Sequence, residues 1–448
     1  MLSALFFSSI SFGQSTDAAL RSVMEKDRSG RSANGKLMTL TAAEHLFRGD
    51  VYMTNRVFHE AREHFQKIMD VYPTDAGMGK ALFGMGRSYM WEREYTKCIS
   101  FLSRVSKEYP ATKDGREGLY FQGSCNVRIS RNTEAAKIYE QYTIMYPSGE
   151  RIDGAFLNTI DALRESGQYE QANAWVTRAL SRFPGKPTEI NALHARLRIE
   201  IYRGLWSYAE TTANEMLALN KFAGTITGAD EVKYLKAFAM EKAGKRSESI
   251  AVYGSIPAKA TSYYSGLASE KLAGSTGRVK TIAQVSPRDY PIMFRVEVLQ
   301  YAKKHKIDPR FVLAIMKQES SFRTDVKSSA AARGLLQLVM DTALKYNKKA
   351  GFPTLQPDDL YVPRINIAIG CEYIADLKAE FGGLYEAIAA SYNGGEDNAR
   401  RWLNRSKPKD AAIFTSEVGF AETKNYVFKV MTGFRIYREL YDENLVRR

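Results

Sequence analysis

The chain has 448 residues, 44% of them hydrophobic, and a formal net charge of +14. That length exceeds one ordinary core and predicts two or three modules, and the apolar content is enough for them to fold. The basic balance suits nucleic acid, anionic lipid or an acidic polymer. No zinc knuckle, basic arm or aromatic-rich basic motif is present, so no nucleic-acid partner is expected. An anionic envelope polymer stays open.

At the start, residues 2–13 form a short apolar run that ends in polar sequence from Gln14. The run is too short to cross a bilayer and has the character of a secretory signal core. Residues 1–14 are therefore expected to be a signal peptide, and the rest to be exported to the periplasm or cell envelope. No later stretch predicts a membrane span. Residues 15–37, with Ser29, Gly30, Ser32 and Gly35 among charges, read as a linker. Three cysteines, Cys98, Cys125 and Cys371, make no disulfide framework and match no metal-site spacing. They read as small core residues, and whether Cys98 and Cys125 pair after export stays open.

A repeat follows. Tyr72-Pro73, Tyr109-Pro110, Tyr146-Pro147 and Phe183-Pro184 are each 37 residues apart, and a small residue stands 12 before each proline: Ala61, Cys98, Ala135 and Ala172. The same period links Ala81, Gly118, Ala155 and Ala192, whereas one step earlier it meets Glu44. Small residues at fixed places let the two helices of a hairpin approach closely, and an aromatic-proline pair ends the second helix. The register reaches Ala209, fades at Lys221, and leaves a weaker unit with Ala237, Ala251 and Ile256-Pro257. The pattern resembles tetratricopeptide repeats with a slightly longer unit, and predicts five or six hairpins stacked into an α-solenoid over 38–265. Such a solenoid commonly docks a partner, so a protein partner on it is a candidate.

His59-Glu60-Ala61-Arg62-Glu63-His64 approaches the zinc motif His-Glu-x-x-His, but its histidines are five apart. Five helical steps separate the two rings by roughly 140°, so they do not share a metal in the usual way. His45, His194 and His305 read as isolated. No metal and no organic cofactor is expected.

Residues 266–287 read as a second linker, and 288–448 as a helix-rich module. Inside it, Pro309 suits the first turn of a helix, and Val312, Ile315, Met316 and Phe322 recur at three- and four-residue steps on one apolar face. Glu319 lies in that stripe. A carboxyl placed among apolar side chains is desolvated, which favours its neutral form, and a protonated acid near neutral pH is what a general acid needs. Three more segments accompany it: Ser328 to Ala343 with Gly334-Leu335-Leu336-Gln337-Leu338, then Ser391-Tyr392-Asn393-Gly394-Gly395, then Glu422-Thr423-Lys424-Asn425-Tyr426-Val427. Taken singly each has an ordinary explanation. Gly394 and Gly395 stop a helix, Glu422 is a favourable charge at a helix start, and Gln337 is a loop amide.

Their order and spacing are more specific. Gln318-Glu319-Ser320-Ser321-Phe322, Gly334 to Leu338, Thr342-Ala343, Tyr392-Asn393-x-Gly395 and Glu422-Thr423-Lys424-x-Tyr426-Val427 together resemble the catalytic domain of the soluble lytic murein transglycosylases. The resemblance covers about a third of the chain. It implies a lysozyme-like, mostly α-helical domain over 288–448, behind the α-superhelix that larger members carry, and hence an all-α chain.

The resemblance also implies that Glu319 is the sole acid/base in non-hydrolytic cleavage of the bond between N-acetylmuramic acid and N-acetylglucosamine of peptidoglycan glycan strands. The muramic acid 6-hydroxyl attacks its own anomeric carbon and leaves a 1,6-anhydro product. Such a route explains why no second acid accompanies the Glu319 motif, since ordinary glycosidases need two carboxylates. By the same match, Ser328, Gln337, Tyr392 and Asn393 line the sugar groove, and Glu422 and Tyr426 face it. Three departures stand out: Ala331-Ala332 where the family has Gly-Ala, Val339-Met340 where it has Met-Pro, and Ser391 and Gly394 around Tyr392-Asn393 where it has alanines. They put the shape of loop 331–341 in question. The competing expectations are a lysozyme-like hydrolase or chitinase, and a solenoid adaptor that binds glycan without cleaving it.

Overall fold

A computed structural model describes residues 14–276 and 285–448. The signal-like run and residues 277–284 of the expected second linker lie outside the described residues. The described chain is all-α, with only isolated β-bridges such as Lys327 to Arg333. None of its helices is long and apolar enough to cross a membrane.

The first helix, α1 (Gln14–Gly30), corrects the expected linker at 15–37. Its Leu20 and Val23 are buried against the next two helices, and its Asp27 accepts from Arg48 and from the Tyr52 hydroxyl at 2.7 Å. Charges that suggested a solvated segment are in part the polar face of this helix, and Gly30 is where it stops. Six hairpins follow: α2 (Ala42–Thr54) with α3 (Phe58–Val71), α4 (Met78–Trp91) with α5 (Tyr95–Glu108), α6 (Lys113–Arg128) with α7 (Asn132–Met145), α8 (Ile152–Glu165) with α9 (Tyr169–Arg182), α10 (Pro187–Arg203) with α11 (Trp206–Leu219), and α12 (Ala229–Lys242) with α13 (Arg246–Gly254). Then α14 (Tyr263–Thr276) continues into the segment expected to be the second linker, with Tyr263 and Tyr264 buried.

The 37-residue period is visible as geometry. Tyr72, Tyr109, Tyr146 and Phe183 cap α3, α5, α7 and α9, and the Tyr72 and Tyr146 hydroxyls donate to the carbonyls of Leu40 and Pro110 one repeat back. The small residues Ala61, Cys98, Ala135 and Ala172 are fully buried where paired helices touch. Cys98 and Cys125 form a disulfide that joins α5 to α6, a pairing the sequence leaves open; Cys371 is free and buried.

The histidines are not isolated. His45 meets His64 ring nitrogen to ring nitrogen at 2.9 Å, and His64 in turn bonds Asp27 at 3.0 Å. His194 bonds Glu231 at 2.9 Å, and His305 lies 3.1 Å from Glu372. Helical spacing within one segment does not reveal partners contributed by another.

The C-terminal module contains α15 (Arg295–Lys304), α16 (Pro309–Ser320), α17 (Met340–Tyr346), α18 (Pro363–Glu380), α19 (Tyr385–Gly394), α20 (Glu396–Arg405), α21 (Ala411–Glu417) and α22 (Ala421–Leu440). Its core gathers Phe311, Ile315, Leu336, Ile367, Ile388, Val427 and Phe434, so that α16 and α19 both pack on α22. One face of the solenoid runs along this module from end to end. Arg56 bonds Asp341 at 2.7 and 2.9 Å, Tyr95 bonds Asp397, Arg401 bonds Glu165 at 2.6 Å, and Lys424 bonds Glu231 at 2.7 Å. Far along the solenoid, Tyr263 donates to Glu386 at 3.1 Å.

Candidate active site

Helix α16 starts where Asp308 accepts from the Arg310 amide and Pro309 occupies the first turn. Val312, Ile315 and Met316 are fully buried, and Phe322 packs at the edge of the same core. One turn beyond Ile315 and Met316, Glu319 reaches the rim of that core and stays half-buried. Burial pushes its carboxyl up to about 8, the charge of Glu422 adds to this, and a hydrogen bond from Tyr426 opposes it. The Tyr426 hydroxyl donates to Glu319 Oε1 at 2.7 Å, and Tyr426 is itself buried on α22. Glu422 stands one turn earlier on α22, half-buried, and burial raises its carboxyl too.

Loop 321–339 follows α16 and is tied back to it where Ser320 donates to the Leu335 carbonyl. It takes left-handed backbone at Ala331 (φ 60°), Gly334 (φ 73°) and Gln337 (φ 46°). Gly334 is obligatory, because a Cβ there would lie 2.1 Å from the Leu360 carbonyl oxygen. Ser328 is buried, and its hydroxyl accepts from the Ala330 and Ala332 amides at 3.2 and 3.1 Å, which holds the loop. Gln337 donates from Nε2 to the Val326 and Gly334 carbonyls at 3.0 and 2.8 Å, and its Oε1 has no partner among the described residues. Tyr392, at the end of α19, donates to the Leu336 carbonyl at 2.7 Å and is close enough to Glu319 to feel its charge. Asn393 accepts from the Thr423 hydroxyl at 2.7 Å.

The structure therefore brings Glu319, Tyr392, Glu422 and Tyr426 together, with Gln337 and Asn393 on the loop and helix end beside them and Ser328 bonded within the loop. Three further residues carry weight that the sequence reading did not assign. Asn366 on α18 accepts from the Leu336 amide at 2.8 Å and donates to the Arg333 and Leu360 carbonyls at 3.0 and 2.7 Å, pinning the loop. Ser320 bonds the Leu335 carbonyl at 2.9 Å. Tyr373 sets its ring 5.3 Å from that of Tyr392 and 5.4 Å from that of Tyr346, extending the aromatic wall. A polar residue inside an apolar helix, as Asn366 is, was the available signal.

Residues 297–415 match the transglycosylase SLT domain family, and residues 80–112 a tetratricopeptide repeat family. The C-terminal module is an SLT domain. The repeats ahead of it are tetratricopeptide-like. The match ends before Glu422 and Tyr426, so the place of those two in the site rests on geometry. Among similar proteins, the soluble lytic murein transglycosylase of Salmonella typhimurium is 32% identical over 151 residues, covering 33% of this chain and 23% of that protein. The membrane-bound lytic murein transglycosylase C of Cronobacter sakazakii is 32% identical over 162 residues, covering 32% of this chain and 45% of that protein. The chain thus spans less than half the length of these relatives. In overall shape the chain resembles the lytic transglycosylase Slt inactive mutant from Pseudomonas aeruginosa, with a TM-score of 0.54 at 15% identity over 96% of this chain and 87% of that one. It also resembles the 70 kDa soluble lytic transglycosylase of Escherichia coli, with a TM-score of 0.50 at 16% identity over 98% and 88%. These two likenesses concern the fold alone: a helical repeat array followed by a compact helical domain.

Proposed function

We propose that the chain is an exported peptidoglycan lytic transglycosylase that cleaves the β-1,4 bond between N-acetylmuramic acid and N-acetylglucosamine, with Glu319 as its single acid/base. The observation that carries the reading is the Glu319 carboxyl, held by Tyr426 at a half-buried rim and raised to about 8. The names of the SLT-domain relatives support the substrate class.

Near neutral pH Glu319 is protonated. With Oε1 accepting from Tyr426, Oε2 is the oxygen left to carry the proton. That proton passes to the glycosidic oxygen as the bond to the muramic acid C1 breaks. The carboxylate then takes the proton of the 6-hydroxyl as its oxygen bonds C1. Glu319 ends protonated again, no water is consumed, and the product is a 1,6-anhydro sugar. No second carboxylate acts as nucleophile or water activator in this route.

Gln337 Oε1, the Tyr392 ring and the Asn393 amide suit the sugar side of the groove, whereas Ser328 supports the loop from within. Glu422 serves to keep Glu319 protonated. Because one solenoid face is taken up by the chain's own SLT domain, a protein partner would use the opposite face, and the basic surface would favour an anionic wall. The Cys98–Cys125 disulfide fits export, since such bonds persist in oxidising compartments.

A hydrolase is the second reading, and Glu422 is what favours it: a second half-buried acid next to Glu319 could activate water. Digestion of purified peptidoglycan by the protein and its Glu319→Gln variant, read by mass spectrometry, decides. Muropeptides lighter by one water, resistant to borohydride and absent with the variant, are expected. Reducible, fully hydrated ends would make the protein a hydrolase.

A further inference from the structure

A cavity of about 400 Å³ lies where α6–α10 of the solenoid meet α20 of the SLT domain, away from Glu319. Its size is within the roughly 300–1,000 Å³ of small-ligand pockets. Five guanidiniums line it. Four are engaged: Arg164 with Glu417 at 2.7 Å, Arg400 with Asp397 at 3.0 Å, Arg401 with Glu165 at 2.6 Å and Arg405 with Asp161 at 2.9 Å. The fifth, Arg128, is half-buried at the last turn of α6 and has no hydrogen bond or ion pair among the described residues. Burial, and then the facing charge of Arg401, press its guanidinium below the ordinary arginine value. A desolvated, unpaired cation beside another cation is unfavourable unless an anion completes it.

The rest of the wall is selective. Tyr169 and Tyr202 present rings 6.4 Å apart. The Asn132 side-chain oxygen is buried with no partner among the described residues, which calls for a ligand N–H or O–H. Each of the other lining guanidiniums already faces a carboxylate, so Arg128 is the lining guanidinium left to take a ligand anion, and the lining acids Glu165 and Asp397 disfavour a dianion.

We propose that this cavity is a second sugar site, which binds a single carboxylate carried on an N-acetylated amino sugar and so senses an acidic wall fragment at the joint between the two modules. The carboxylate pairs with Arg128, the acetamide N–H meets Asn132, and the tyrosine rings cover the sugar face. The choice of wall sugar rests on the proposed function; the need for a monoanion does not. A ligand here touches both modules, so binding adds to the stability of the docked arrangement.

The test is calorimetric titration of the full chain with N-acetylmuramic acid, using N-acetylglucosamine as the neutral control. Arg128→Met removes the free cation without breaking an ion pair, and Asn404→Asp adds a charge at an exposed position of the same wall. Each is expected to weaken binding by about tenfold or more, and the neutral sugar to bind about tenfold more weakly than the acid. Turnover of peptidoglycan is expected to stay at the wild-type level in both variants, and neither is expected to lower the Tm of the ligand-free chain. Wild-type affinity in both variants, equal affinity for the neutral sugar, or tighter binding of inorganic phosphate would overturn the proposal. Peptidoglycan cleavage without an Arg128-dependent heat sinks this site alone. An Arg128-dependent heat without cleavage sinks the proposed function and leaves the site.

Discussion

At the scale of single residues, the proposed chemistry depends on how three side chains set one proton. Burial raises Glu319 to about 8 from an ordinary 4.5, the Glu422 charge raises it further, and the Tyr426 hydrogen bond favours the charged form and lowers it. An acid that must be protonated loses activity as pH rises through its pKa, so the rate should fall on an alkaline limb near pH 8. Tyr426→Phe removes the opposing bond and should move that limb upward, while turnover drops about ten- to hundredfold through loss of a bond to a charged group. Glu422→Gln removes a repelling charge and should move the limb downward. Kinetics against pH for the three proteins check both signs; shifts in one common direction would refute this division of roles. Stability gives a second handle. Because the folded value of Glu319 lies above the unfolded one, the folded state binds more protons between about 4.5 and 8, and its stability falls with rising pH there. Glu319→Gln should therefore be inactive yet more stable than wild type above pH 8, by about 1–3 kcal/mol, with the gain fading toward pH 4.5. Thermal melts at the two pH values measure it.

At the scale of elements, the helices were legible in the sequence because their signals are local. Pro309 opened α16, the aromatic-proline pairs closed four solenoid helices, and buried small residues marked where helices touch. A further periodic feature went unseen. The turn inside successive hairpins holds a left-handed residue at Arg56, Arg93, Ser130, Gly167 and Gly204, again 37 apart. Only the last two are glycine, so residue type concealed the conformation. The site was legible as a set of motifs but not as contacts. Ser328 bonds amides of its own loop, whereas Asn366 pins backbone atoms about 30 residues back along the chain, and neither partner set shows in residue type. The Cys98–Cys125 bond and the His45–His64 pair were hidden for the same reason. The unusual Ala331 now has a physical meaning. It sits at φ 60°, where an L side chain is strained and glycine is not. Ala331→Gly should raise the stability of the whole chain by about 0.5–1 kcal/mol, measured by denaturant titration, and leave Glu319 in place. A loss of stability would show that the Ala331 methyl contributes more through packing than its backbone costs.

At the scale of the whole molecule, the solenoid and the SLT domain share buried charge rather than a loose hinge. Glu417 on α21 is 1% exposed and takes Arg164 at 2.7 and 2.9 Å and Arg198 at 2.9 Å from the solenoid, with Arg405 of its own domain at 3.4 Å. Burial alone would raise this carboxyl, but the three guanidiniums outweigh it and bring it down to about 2. Glu417→Gln would leave those guanidiniums crowded and short of an anion, and breaking a buried ion cluster from one side costs about 3–5 kcal/mol. For a chain of this length that corresponds to a drop in Tm of about 3–5 °C, readable by calorimetry near neutral pH. The pH dependence identifies the cause. A carboxyl whose folded pKa is depressed lends stability that is present above the unfolded value of 4.5 and is lost as pH falls through about 2. The gap in Tm between wild type and variant should therefore be full at pH 6 and should close as the solution is acidified toward pH 2. If the gap keeps its size in acid, Glu417 acts through packing, and the two modules are joined by their apolar contacts rather than by this cluster.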